Sequence, residues 1–134
     1  MFNSEIILLN KVSSANKRSN KEILKQCSIK KPYFLYIGVK RPHKNLEGLI
    51  ESFVEFKQKY DKWNTKLVIA GEKYSNYKDY LIKAKQLNIN NEIFFLGFVP
   101  NENLKALYSE AEIFLLVSFY EGFGMPILEA MECG

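Results

Sequence analysis

Several residue types are scarce, and each scarcity excludes something. Cys27 and Cys133 are the only cysteines. They stand far apart and fit no metal-ligand spacing, so the sequence offers neither a disulfide framework nor a zinc site. They read as two free thiols in a reducing compartment. Arg18 and Arg41 are the only arginines and His43 the only histidine. The net charge of +4 is therefore almost all lysine. No Arg/Lys stripe with interleaved aromatics appears, which argues against nucleic acid as a partner. The excess still favours anionic ligands in general. Long apolar runs are missing too. Even IFLLV at 113–117 is far short of the roughly 18 residues that a membrane span needs. The opening MFNSEIILLN has a four-residue apolar run beside an acid, which is not a signal peptide. A cytoplasmic chain is expected, with peripheral association at the inner membrane face left open.

What is present is an alternation. Apolar residues make up 47% of the 134, enough for one domain with a core. Residues 1–18 read as an irregular lead-in. Ser19 and Glu22 then match a capping box that opens a short helix to about residue 26, and Lys30-Lys31-Pro32 breaks it. YFLYIG at 33–38 is continuously apolar and β-prone, so it reads as a strand buried on both faces. Asn45 stands where it can cap the next helix, whose Leu46, Leu49, Ile50, Phe53 and Val54 lie opposite Glu47, Glu51 and Glu55. KLVIAG at 66–71 is a second strand, followed by a helix lined by Tyr77, Tyr80, Leu81, Ala84 and Leu87. EIFFLG at 92–97 is a third, and a helix over 102–110 carries Leu104, Leu107 and Tyr108 on one face. EIFLLV at 112–117 is a fourth, and a last helix starts near Pro126. The fold class is α/β: a doubly wound, Rossmann-like sheet of four parallel strands in the order 3-2-1-4. The domain reading is a lead-in with a short helix over 1–30 and a partial ligand-binding domain over 31–134.

In such a sheet a ligand binds at the carboxyl ends of the strands, where the strand order reverses. That point lies between strands 1 and 4. It brings together the loop GVKRPHKN at 38–45 and the segment SFYEGFGMPILEA at 118–130. The first carries Lys40, Arg41, His43 and Lys44. The second carries Gly122 and Gly124, which let backbone approach a ligand, and runs into a helix start that favours anions. Glu121 and Glu129 bracket seven residues there and can accept hydrogen bonds from hydroxyls. Phosphate plus polyhydroxyl describes a nucleotide-sugar. Each feature also has a plainer reading. The lysines and arginine fit a solvated loop, His43 a turn, the glycines a bend, and Glu129 a first helical turn where a carboxylate is favoured by the dipole. The convergence on one point outweighs them jointly.

The block EGFGMPILEAM with its E-x7-E spacing resembles the signature of retaining GT-B glycosyltransferases of group 1, family 4, which are glycogen-synthase-like. YIGVKRPHKNL at 36–46, LVIAG at 67–71, FLGFVP at 95–100 and LKALY at 104–108 extend the likeness over about residues 33–134. The resemblance implies a sugar transfer from a nucleotide-diphospho-sugar with retention of configuration. Glu121 and Lys44 would be catalytic, Glu121 beside the transferred sugar's hydroxyls and Lys44 on the donor diphosphate. Glu129 would accept from the ribose hydroxyls. Backbone N–H groups of Phe123, Gly124 and Met125 would hold sugar and phosphate, Phe98 and Val99 would approach the base, and Gly38, Gly122, Lys40, Arg41 and His43 would complete the donor site. No cofactor and no metal are implied, since positive side chains and a helix dipole stabilise the leaving diphosphate. Many members have arginine directly after the first-strand glycine, where Val39 stands here. The acceptor, a saccharide or lipid-linked saccharide, would meet a domain that this chain does not hold. The chain is thus expected to be truncated, part of a donor-binding domain and inactive alone. The alternative is a non-catalytic module or split-enzyme subunit. In either case the exposed edge of strand 4 invites self-association or a complementing domain.

Overall fold

The computed structural model describes residues 18–38, 44–71, 77–118 and 125–133. Among these, the elements in order are α1 (Asn20–Gln26), β1 (Tyr33–Ile37), α2 (Leu46–Lys59), β2 (Lys66–Ala70), α3 (Tyr77–Gln86), β3 (Ile93–Gly97), α4 (Asn101–Glu110), β4 (Ile113–Phe114) and α5 (Met125–Glu132). The strands form one parallel sheet in the order β3-β2-β1-β4, as the alternation predicts.

The period of two along each strand divides the core in two. Tyr36 pairs in register with Ile69, and both join Leu46, Leu49, Ile50 and Phe53 of α2 with Tyr80 and Ala84 of α3. Tyr33, Leu35, Val68 and Ala70 turn to the other face, where Leu24 and Ile29 meet Leu104, Leu107 and Tyr108 of α4. Each such Leu, Ile or Val removed from water contributes roughly 1.5–3 kcal/mol, which fixes the strand register by its side-chain faces. The Tyr33 hydroxyl crosses this second core and donates to the Leu107 carbonyl at 2.7 Å.

Helix α1 forms as its capping box predicts: Glu22 Oε2 accepts from the Ser19 N–H at 2.9 Å, and Ser19 Oγ accepts from the Glu22 N–H at 3.3 Å. The helix ends before the Lys30–Pro32 break. Ser28 adopts φ 57° and the Ile29 N–H returns to the Leu24 carbonyl, closing the helix end. Asn20 and Lys31 both bond Glu110, fastening this segment to α4.

Three expectations are corrected. Strand 4 spans two residues rather than six, although flanking bonds from the Glu112 N–H to Tyr33 and the Leu115 N–H to Leu35 prolong the pairing. It is the last strand of the described sheet, and Ile113 is 49% exposed at that edge, as the sequence leads one to expect. Asn45 precedes α2 but lies in the left-handed region at φ 56° and makes no side-chain cap. Its amide lies over Gly48 instead, so close that a Cβ there would stand 2.5 Å from Asn45 Oδ1. On α3, Leu81 and Leu87 face solvent, and the apolar contact after the helix comes from Ile89.

The amino ends of β2 and β3 carry a charged cluster. Lys57 bonds Asp61 and Glu92, and Lys66 bonds Glu92 at 2.7 Å. Asp61 also accepts from the Thr65 hydroxyl at 2.9 Å and from the Thr65 and Trp63 N–H groups. Burial alone would raise the Asp61 carboxyl, but these bonds, led by Lys57, bring it down to about 2. No helix among the described residues is long and apolar enough to cross a membrane.

Candidate functional site

At the carboxyl end of the sheet β1 and β2 are each followed by a glycine, Gly38 and Gly71, and β3 ends in Gly97. The Gly38 N–H donates to the Ala70 carbonyl at 3.1 Å and the Gly71 N–H to the Gly97 carbonyl at 2.7 Å, so the strand ends are tied in sequence. Gly71 has φ +125°, and a Cβ on it would lie 1.9 Å from the Gly38 carbonyl oxygen. Only glycine fits there. At Gly38 a Cβ would meet the Tyr36 hydroxyl at 2.9 Å, so the buried Tyr36 closes the floor from below. These contacts make a close-packed rim where β1 hands the chain to its loop.

Lys44 follows that loop, immediately before α2. It is only 7% exposed, which a solvated loop lysine would not be. Long charged side chains are rarely buried unless paired. β4 lies beside β1, with Phe34 opposite Ile113 and Leu35 opposite Phe114. Its downstream segment therefore leaves the sheet at the same end as β1. Ser118 ends the described part of that segment.

Helix α5 begins at Met125, one residue before the proline expected to open it. Glu129 lies beyond its first turn, where no acidic residue is found, so the dipole alone does not account for this carboxylate. Glu129 is 3% exposed and its Oε2 accepts from the Tyr108 hydroxyl at 2.9 Å. The Tyr108 ring in turn lies 5.4 Å from that of Phe114 on β4. In the sequence Tyr108 shares one helix face with Leu104 and Leu107. Its hydroxyl on an otherwise apolar helix face was the one signal of a second role.

Burial pushes the Cys133 thiol up; Lys105 pulls it the other way, and Glu132 and Glu129 add to the rise. Burial also raises Cys27. Neither is an activated nucleophile.

The remaining candidates divide by placement. Val99 is buried in the second core, so its side chain packs. Phe98 next to it is 73% exposed at the end of β3. Met125 starts α5, and Gly38 forms the rim. Lys40, Arg41, His43, Glu121, Gly122, Phe123 and Gly124 lie outside the described residues. Gly71 belongs to the rim and was read from sequence only as a strand end.

Residues 19–134 match the profile of the glycosyl transferases group 1. The chain belongs to this family. The group 1 chain is 40% identical over 108 residues to O-antigen chain mannosyltransferase B of Escherichia coli, a match covering 76% of this chain and 26% of that enzyme. It therefore spans about a quarter of that relative's length. Among solved structures it resembles the C-terminal domain of the group 1 protein LpcC of Francisella tularensis, with TM-score 0.66 and 28% identity over 86% of this chain and 61% of that one. It also resembles HepE of Anabaena in complex with UDP and glucose, with TM-score 0.70 and 20% identity over 88% of this chain and 32% of that one. The second likeness establishes the fold alone. The architecture of this group 1 chain is thus the Rossmann-like half found in GT-B glycosyltransferases.

Proposed function

We propose that this chain forms part of the donor-binding domain of a retaining, family 4 glycosyltransferase and that its E-x7-E residues, Glu121 and Glu129, hold a nucleotide-diphospho-sugar. One observation carries the reading. Among the described residues three polar or charged side chains are buried: Lys44, Thr65 and Glu129. Thr65 is explained by Asp61 at the amino end of the sheet. Lys44 and Glu129 belong to the two segments that β1 and β4 deliver to one sheet end, and both stand in the resembling motifs.

In this reading Lys44 and the start of α5 meet the donor diphosphate, Glu129 accepts from the ribose hydroxyls, and Glu121 faces the transferred sugar. Phe98 is exposed where a base would stack. The leaving diphosphate is stabilised by lysine charge and helix N–H groups, with no metal required. Donor phosphate takes the proton of the acceptor hydroxyl, and the acceptor is a saccharide or lipid-linked saccharide. HepE, with UDP and glucose bound, and the E. coli mannosyltransferase support a nucleotide-sugar donor. Transfer needs a second wall that excludes water and positions the acceptor, so the chain by itself is expected to bind donor weakly and to turn over little.

Calorimetry with UDP, GDP, ADP and their sugars, on wild type, Lys44→Ala and Glu129→Ala, tests the site. Binding that both substitutions weaken is expected. Binding indifferent to both, or no binding at all, rejects it. A second reading, a subunit that pairs with another chain, is favoured by the half-exposed Ile113 on the edge strand.

A further inference from the structure

We propose that Tyr108 is a positioning residue for nucleotide recognition: its hydroxyl fixes the Glu129 carboxylate in the orientation that a ribose diol requires. The inference rests on the donor-site reading above and deepens it.

A glutamate side chain has three rotatable bonds and, left to itself, samples many orientations. Ordering it on ligand binding costs affinity. Here the ordering is already made. Tyr108 Oη lies 2.9 Å from Glu129 Oε2, both side chains are buried, and the bond joins α4 to α5. Tyr108 is itself held in place. Its ring rests against Phe114, and Phe114 pairs in register with Leu35 on β1. The neighbouring Leu107 carbonyl receives the Tyr33 hydroxyl at 2.7 Å, which fixes this turn of α4 to the sheet. The carboxylate is thus referenced to β1 and β4, the strands that define the ligand end. An ionised carboxylate has about four acceptor sites. Tyr108 occupies one and sets the plane of the group.

A structural bond between two helices would affect all ligands alike, whereas a positioning bond acts only through the ribose hydroxyls. Calorimetry should therefore compare UDP and GDP with their 2′,3′-dideoxy counterparts, on wild type and Tyr108→Phe, a change that keeps the ring on Phe114. For whichever nucleotide wild type binds, Kd is expected to rise about 3- to 10-fold in Tyr108→Phe, the worth of one hydrogen bond. The dideoxy Kd is expected not to move. An equal loss for both ligands, or no loss, overturns the proposal while the donor-site reading stands. A wild type without preference for the ribose hydroxyls overturns the role of Glu129, and the proposal with it. If Tyr108→Phe does not fold, 3-fluorotyrosine at position 108 keeps the ring and donates more strongly. It should alter affinity for the ribose form alone, and an unchanged ribose Kd overturns the proposal.

Discussion

The backbones of Gly71 and Gly38 touch: a Cβ on Gly71 would stand 1.9 Å from the Gly38 carbonyl oxygen. With φ +125° at Gly71 a side chain is also conformationally strained. Gly71→Ala is expected to cost about 1–3 kcal/mol from backbone strain, with the steric clash added. It should also weaken nucleotide binding, because the strand ends that launch the β1 loop must separate. Chemical denaturation and calorimetry on the variant check both. An alanine as stable as wild type would refute the close packing.

Tyr33 is fully buried and its hydroxyl reaches Leu107 across the second core. Tyr33→Phe leaves that carbonyl without its donor and should destabilise the chain by about 1–3 kcal/mol, read from the urea midpoint. Ligand affinity should fall less than in Tyr108→Phe, because Tyr33 acts on the Glu129 carboxylate only through α4.

The acid limb of stability should report on Asp61. Its carboxyl is lowered from 3.8 to about 2, because hydrogen bonds from Lys57, Thr65 and Trp63 overcome the opposing effect of burial. A depressed carboxyl stabilises the fold above its unfolded value, and the contribution disappears as pH falls through the folded one. Stability should therefore drop between roughly pH 4 and pH 2. Glu92, whose carboxyl is also lowered against burial by Lys66 and Lys57, steepens the same limb. Asp61→Asn should destabilise at neutral pH and flatten the curve in that window. Thermal melts across the range decide.

Lys83 bridges α3 to Glu47 and Glu51 of α2 at 2.7 and 2.6 Å, but both glutamates are largely exposed. Lys83→Ala is expected to cost under about 1 kcal/mol, and the loss should shrink in high salt. A salt-independent effect would show that the stem packing of Lys83 matters more than its charge.

Ile113 on the edge strand predicts concentration-dependent association. Ile113→Lys should shift the elution volume toward monomer without lowering stability much. Wild type running as a monomer at high concentration would count against it.

The strand order was legible because four apolar segments of strand length alternate with amphipathic helices, and right-handed crossovers leave few arrangements. Pattern alone missed features set by neighbours. EIFLLV reads as a strand of six residues, yet with no further strand beside it in the described sheet only Ile113 and Phe114 pair as strand. Leu81 and Leu87 satisfy helical spacing but fall outside the arc that α3 presents to the core. At the site, Lys44 and Glu129 were named from their motif, while their burial comes from packing around α2 and α4. The Tyr108 hydroxyl is visible on an apolar helix face, but its partner is not: the acceptor stands 21 positions on, across the turn of chain that joins α4 through β4 to α5.

The charged cluster of Lys57, Asp61, Lys66 and Glu92 secures the pole of the sheet opposite the glycine rim. On the donor-site reading, rigidity and recognition fall to opposite ends of the same strands. On that reading, exchanging the segments at 39–43 and 119–124 between relatives is expected to alter donor preference while the anchoring half is left untouched. A library confined to those segments tests this: donor preference should change while stability, set at the other end, holds.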